Sequence, residues 1–400
     1  MAIQKVTDLY KNAFKGIPSA IWWQALVLVV NRSGTMVVPF MSLYLTQYLH
    51  FSLSKAGIVL VFFGLGAVTG AFLGGWLTDK IGFRKVQLLT LTGGGILFIV
   101  LSQIENYYAI CFFTYLLSSV NEAFRPANSF AIAYYTNDEN RTRSYTLARL
   151  ATNSGWVIGG ALGGILASMN YQYLFWVDGF TNIAAMFILK FLFLPVVITP
   201  KKSTRKKIIN KYRSAYADKK YMAFVVISCL FAIMFFQLFS SISLYYKSVM
   251  HLSEFFIGLI MALNGTIIIL TEMVLIYSLD GKAHKLIFIS MGSLLLASSF
   301  VVFNLFEPTI QIATMAMVLF TVGEMISMPF MNTQWVAMSK EENRGEYAGL
   351  FTMAWSVAHV IAPSIGTFTA DHYGFTVLWW ILGGLGLLTS IGFYLLRKSV

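Results

Sequence analysis

A small set of ionisable residues lies inside long apolar runs, and any chemistry this chain performs must begin with them. The first run carries Asn31 beside Arg32, with Pro39 further on, and the fourth carries Asn121, Glu122, Arg125 and Pro126. Asp178 and Lys190 lie towards opposite ends of the sixth, Glu272 is in the eighth, Glu324 precedes Pro329 in the tenth, and His359 is in the eleventh. Each charge at a bilayer centre costs roughly 2.5–3.5 kcal/mol, so these groups should face a cavity or a partner. An intramembrane carboxyl is a candidate proton carrier, which places Glu324 first, with Glu272 and Glu122 beside it. Glu324 has a second reading as the structural partner of Arg32 or Arg125. Glu122 and Arg125, three residues apart, share a helix face and can form an intrahelical pair or serve function. Arg32 can clamp a substrate carboxylate or neutralise Glu122 or Glu324. His359 reads as a buried hydrogen-bonded histidine or a proton relay. No His-Glu-x-x-His, Gly-x-Ser-x-Gly or phosphate-binding Gly-x-x-x-x-Gly-Lys-Ser/Thr occurs, so neither an enzyme nor a nucleotide-driven pump is indicated.

The elements that must hold these groups follow from composition. Of 400 residues, 57% are hydrophobic and 12% charged, and the mean hydropathy is +0.70. Such a chain is an integral membrane protein, and runs of about 20 apolar residues make it helical rather than a barrel. Helices are expected at 19–46, 54–78, 85–104, 107–136, 143–168, 173–198, 221–248, 254–279, 285–305, 308–338, 346–370 and 374–396, twelve in all. The formal charge of +12 sits mostly in alternate connections, which is the positive-inside pattern and not a nucleic-acid footprint. Both termini are then cytoplasmic. Residues 1–18 read as a retained cytoplasmic arm, 19–198 as one six-helix bundle, 199–220 as a basic cytoplasmic linker on lipid, and 221–400 as a second bundle. Cys111 and Cys229 lie within apolar runs, as core residues do.

The two halves repeat. At an offset of 201, Ser42-Leu43-Tyr44 meets Ser243-Leu244-Tyr245, His50 meets His251 and Asp79 meets Asp280. At 203, Pro126 meets Pro329 and Asn140-Arg141 meets Asn343-Arg344. Six helices followed by six related ones predict an alternating-access architecture with a midplane site. Glu272 falls opposite Ala71, so it is not a repeated architectural feature. Tyr44, Phe236 and Trp355 are among the aromatic residues available to line a large cavity.

Between the second and third runs lies Gly75-Trp76-Leu77-Thr78-Asp79-Lys80-Ile81-Gly82-Phe83-Arg84-Lys85. This turn resembles, position by position, the signature loop of the major facilitator superfamily. The fifth run carries Gly155, Gly159 and Gly163 in a pattern similar to that family's fifth-helix motif, with Gly160 where the motif has Pro; its counterpart keeps Pro363. The resemblance implies the twelve-helix, two-bundle fold and a secondary transporter working as a monomer without a cofactor. It implies conformational gating by Gly75, Asp79, Gly82, Arg84, Lys85, Gly155, Gly159, Gly163 and Pro363, with Asp79 paired to basic residues across the inner gate. Simple helix packing is the other reading of the fifth-helix glycines, as a topogenic role is of the turn's charges. Gly323-Glu324 is similar to the tenth-helix segment of proton-coupled multidrug exporters, and the whole chain looks most like the twelve-helix bacterial drug:proton antiporters. That likeness implies export of amphipathic small molecules across the cell membrane, with protons and membrane lipid as the other partners. The chain departs from that group at Arg125, which is followed by Pro126-Ala127-Asn128 and not by spaced glycines. A proton-coupled oligopeptide symporter is the alternative: Arg32 matches its first-helix Arg, while Leu28 and Asn31 replace its two glutamates.

Overall fold

Residues 2–192, 214–252, 254–339 and 343–398 are described by the computed structural model. The basic segment expected over 199–220 lies outside them as far as position 213. An arm helix, α1 (Ala2–Phe14), precedes α2 (Ser19–Ser33) and α3 (Val37–Leu43), then α4 (Leu53–Ile81), α5 (Phe83–Leu101), α6 (Tyr107–Tyr135), α7 (Arg141–Met169) and α8 (Tyr171–Phe187). The second half contains α9 (Lys219–Phe236), α10 (Ser241–Ser248), α11 (Glu254–Leu279), α12 (Lys285–Leu305), α13 (Ile310–Met338) and α14 (Arg344–Leu396). No strand interrupts them among the described residues. Among the described residues, nine helices are long and apolar enough to cross a membrane on their own. The longest, α14, is two crossings, because Gly374 adopts φ 83° in its middle and breaks it into two limbs. The joined pair α2 and α3, and the more polar α6, complete the twelve.

The first and seventh crossings are each broken at the same depth. In the first, α2 stops at Gly34, whose missing Cβ would collide with Thr181 Oγ1, so that glycine lets the chain lie flat on α8. The chain restarts at α3, and its first free N–H groups, on Met36 and Val37, donate to the fully buried Asp178 carboxylate at 2.9–3.1 Å. A carboxylate at a helix N-terminus satisfies orphan donors and suits the helix dipole. In the seventh crossing a short turn at Gln237–Phe239 separates α9 from α10, and the Gln237 amide donates to the Ala362 carbonyl at 2.8 Å, beside Pro363. Both crossings also end alike. His50 and His251 take positive φ of 56° and 52°, and the preceding residues close equivalent turns, Leu49 N to Tyr44 O and Met250 N to Tyr245 O. Left-handed residues terminate helices in this way, and finding the same one twice, 201 residues apart, carries the sequence repeat into backbone geometry.

In the first bundle α4 and α5 pack on α6, α5 on α8, and α2 on α7. In the second, α12 packs on α13 and α14, α9 on α14, and α11 on α13. The bundles meet along two related seams, α4 against the first limb of α14 and α7 against α11 and α13. Large apolar side chains such as Val61, Leu65, Ile165 and Leu388 point outward, as lipid contact requires. Replacing Asp178 with Ala strands two buried N–H groups, each worth about 1–3 kcal/mol. The expected outcome is a clear fall in the thermal unfolding midpoint in detergent, smaller for Asp178→Asn, which keeps one acceptor; an unchanged midpoint in both would refute the capping role.

Candidate functional site

On the side of the bundles that carries α1, three attachments cross between the halves. The Asp79 carboxylate, at the end of α4, accepts from the backbone N–H of Gly345 (2.8 Å) and Glu346 (2.7 Å), the first turn of α14. Its partners are thus helix-terminal amides, a correction to the expected pairing with basic side chains: a helix start already offers unsatisfied donors and partial positive charge. Gly75 makes this approach possible, since a Cβ there would lie 2.5 Å from Gly345 O and 2.7 Å from Gly349 Cα. The related seam has Asp280 accepting from Thr142 Oγ1 at 3.1 Å at the start of α7. The third attachment is the arm: Tyr10 donates to the Leu270 carbonyl of α11, and Arg143 caps the arm through the Asn12 and Lys15 carbonyls while lying 5.6 Å over the Tyr277 ring.

Deeper in the seam is an ion-paired triad. The Arg149 guanidinium of α7 donates one nitrogen to Glu272 of α11 and the other to Glu324 of α13. Both carboxylates are buried, at 1% and 4% exposure, so this pairing is screened by neither water nor salt. Asn264 supports the second oxygen of Glu324 at 2.9 Å and also donates to Thr321 at 3.0 Å. The second oxygen of Glu272 has no hydrogen-bond partner. One cation in the first bundle therefore holds two anions in the second. Arg149 lies eight residues into α7, about 12 Å from the arm side at 1.5 Å per residue.

Nearer the middle of the membrane, Arg32 on α2 and Asn121 and Glu122 on α6 line a cavity of about 60 Å³ with Asn31, Thr35 and Asn182. Arg125 pairs with Glu122 at 2.9 Å, and Asn31 donates to Asn182 at 2.9 Å. Across the interface, His359 packs against Phe236 in a tilted pair with ring centroids 4.5 Å apart, within electrostatic reach of Glu122 and Arg125. Trp355 stands behind Phe236 in a cluster with Phe231 and Phe235, its indole N–H without a partner.

The structure thus joins Glu272 with Glu324, and Arg32 with Asn31, Glu122 and Arg125, with His359 within electrostatic reach of the last two and Phe236 packed against His359. It separates several other expected residues from those two clusters. Glu324 is paired with Arg149 and not with Arg32 or Arg125, because the α7 seam lies against α13 while α2 is held inside the first bundle. Tyr44 is not a cavity residue: it is 2% exposed, packed on Phe175 at 4.7 Å and on Tyr48 in the core near His50. Gly155, Gly159 and Gly163 sit on α2 and α3, where added Cβ atoms would meet Arg32 Cβ, Ser33 O and Phe40, so they pack the first bundle internally. Arg84 reaches the Leu189 and Lys190 carbonyls at the end of the sixth crossing, Gly82 turns the chain with φ 87°, and Lys85 is exposed. Arg149 is the residue that sequence reading missed. Its signal was present: it is a charge well inside the fifth apolar run, and Glu272 and Glu324 together demand a cation.

The family model of the Major Facilitator Superfamily matches residues 25–363. The chain belongs to that superfamily. Its members are transporters and not enzymes, and this one is a multi-pass membrane protein. Among relatives, an uncharacterised superfamily-type transporter of Bacillus subtilis, YttB, is 26% identical over 90% of this chain and 91% of its own. A Na(+), Li(+), K(+)/H(+) antiporter of Planococcus maritimus is 22% identical over the same shares. In fold, the transporter is similar to a bacterial homologue of the iron transporter ferroportin in an outward-facing state, with a TM-score of 0.76 at 15% identity, over 95% of this chain and 99% of that one.

Two outcomes are expected of this geometry. Gly75→Leu should pry α4 from α14: with Cys111 and Cys229 changed to Ser, a cysteine placed at Ala71 should react several-fold faster with an impermeant maleimide in the Gly75→Leu background. Equal rates would exclude the Gly75 seam as the closure. Arg149→Met, leaving two buried carboxylates unpaired, should destabilise the transporter by about 3–5 kcal/mol. Adding Glu272→Gln and Glu324→Gln should restore most of that in thermal unfolding, whereas costs that simply add would dismiss the triad as a unit.

Proposed function

We propose that this transporter is a proton-coupled exporter of amphipathic small molecules that works by alternating access. The observation supporting the coupling is the Arg149 triad, because it ties the two bundles together through groups that protons can neutralise. The basic connections support a cytoplasmic position for the arm side and for both termini. In the described conformation that side is held shut by the Asp79 and Asp280 attachments and the triad.

Opening the cytoplasmic side requires Arg149 to leave both carboxylates. Breaking a buried ion pair while both groups stay charged costs about 3–5 kcal/mol. Moving a two-state equilibrium from 1:99 to 99:1 takes about 5.5 kcal/mol, so protonation at this one place is of the size needed to switch the transporter. Protons arriving from outside neutralise Glu324 and Glu272, the latter through its unpartnered oxygen. Arg149 is released, the bundles part on the cytoplasmic side, and solute enters as the protons leave. Restoration of the triad closes that side and delivers the solute outward. The antiporter relative supports an exchange with H+, and the aromatic wall of Phe236 and Trp355 suits an amphipathic solute.

The test is reconstitution in liposomes containing a pH dye, with a panel of amphiphiles supplied outside acid-loaded vesicles. Proton efflux triggered by a solute in the wild type, and absent from Glu324→Gln and Glu272→Gln, is the expected outcome. Proton uptake together with the solute would replace export by symport. Solute flux driven by a sodium or potassium gradient at constant pH, or coupling that survives both substitutions, would remove protons from the triad.

A further inference from the structure

We propose that the transported solute bears a carboxylate and that Arg32 is the residue that binds it, an inference that rests on reading the chain as a transporter of small organic solutes. The other arginines deep in the bundles are committed: Arg125 to Glu122 at 2.9 Å, and Arg149 to Glu272 and Glu324. Arg32 is different. It lies in the midplane cavity, its Nε is shielded from solvent without a hydrogen-bond partner, and no described carboxylate lies within ion-pair distance of its guanidinium. Glu122 influences it electrostatically, yet that carboxylate is engaged by Arg125. With two arginines and one glutamate, the cluster carries a net positive charge with His359 neutral.

A desolvated guanidinium without a carboxylate is an expensive arrangement, and it has a specific remedy. Its planar fork matches a carboxylate with two parallel hydrogen bonds, and an ammonium could not substitute for it. Asn121 and Thr35 flank the same cavity with further polar atoms. The cavity volume decides what part of the solute enters. About 60 Å³ accommodates a carboxylate head; whole-ligand pockets run to roughly 300–1,000 Å³. The body must therefore lie outside that cavity, towards the second bundle, whose His359 is within electrostatic reach of Glu122 and Arg125 and packs against the Phe236 ring. An apolar or aromatic body with one carboxylate satisfies both surfaces at once, whereas an amine would meet Arg32 and Arg125 with like charge.

Equilibrium binding without any gradient tests this separately from proton coupling. A panel of fluorescent amphiphilic carboxylic acids, each paired with its methyl ester and with an amine of the same shape, is titrated into purified transporter in nanodiscs at one pH. Acids are expected to bind at least tenfold more tightly than their esters. Arg32→Gln should remove that preference while leaving ester affinity within about twofold, and Arg32→Lys should retain part of it. Should the glutamine variant fold poorly, protection of the wild type supplies the second measurement: acids, and not esters, should raise its thermal midpoint. Equal binding of acid and ester, a preference for the amine, absence of acid binding across the panel, or an unchanged acid preference in Arg32→Gln would each overturn the assignment. A failed proton-flux experiment beside a clear acid preference would refute the coupling and leave Arg32 in place.

Discussion

One arginine shared between two glutamates is the constraint on which the rest of this structure depends. Taking three charged groups out of water is tolerable only where their geometry satisfies them mutually, and here the partners come from different halves of the chain. The interface between bundles is consequently not a greasy surface that can slip by degrees. Here it is paired, and parting it with all three groups still charged would cost the energy of unscreened charge. The aspartates at the ends of α4 and α11 add to this at the membrane face, but they hold backbone amides and a hydroxyl, so they define where the bundles meet and leave the choice of state to the deeper charges.

Small residues set how closely the helices approach at the seams and inside the bundles. Gly75 against Gly345 and Gly349 brings backbones from the two halves together. Such an approach gains dispersion without interlocking side chains, so separating it breaks few specific contacts. Gly155 and Gly159 do the opposite, seating α7 against α2 within one bundle so that the pair behaves as a unit. Glycine patterns that look alike in sequence thus bring helices together between the bundles in one place and within a bundle in another.

The helices were legible because each is a long apolar run bounded by polar turns, and the doubled architecture because the repeat survives in residues such as His50 and His251, whose backbone conformation depends on position. Glu324 and Glu272 could be picked out because a buried acid needs a reason. Their partner could not be assigned from spacing, since Arg149 lies 123 and 175 positions away and meets them only through tertiary packing. Asp178 was visible as a buried acid, yet its role depends on a break in the first crossing that Gly34-Thr35-Met36 does not announce. Tyr44 shows the remaining limit: the same aromatic spacing serves a cavity wall or a sealed core, and only the neighbouring Phe175 and Tyr48 tell which.

The first crossing is divided in its allegiance. Its first piece, α2, rests on α7 through Gly155 and Gly159, while its second piece, α3, hangs from α8 by the Asp178 carboxylate. Between them Gly34 to Met36 form a joint with no helical hydrogen-bond ladder of its own. In the proposed cycle, a movement of α7 that frees Arg149 would carry α2 and Arg32 with it, since Gly155 and Gly159 seat the two helices together, while the joint lets α3 stay on α8. On the proposed cycle the arm-side vestibule would widen without loosening the opposite one, and a solute bound at Arg32 would travel with the helix that opens.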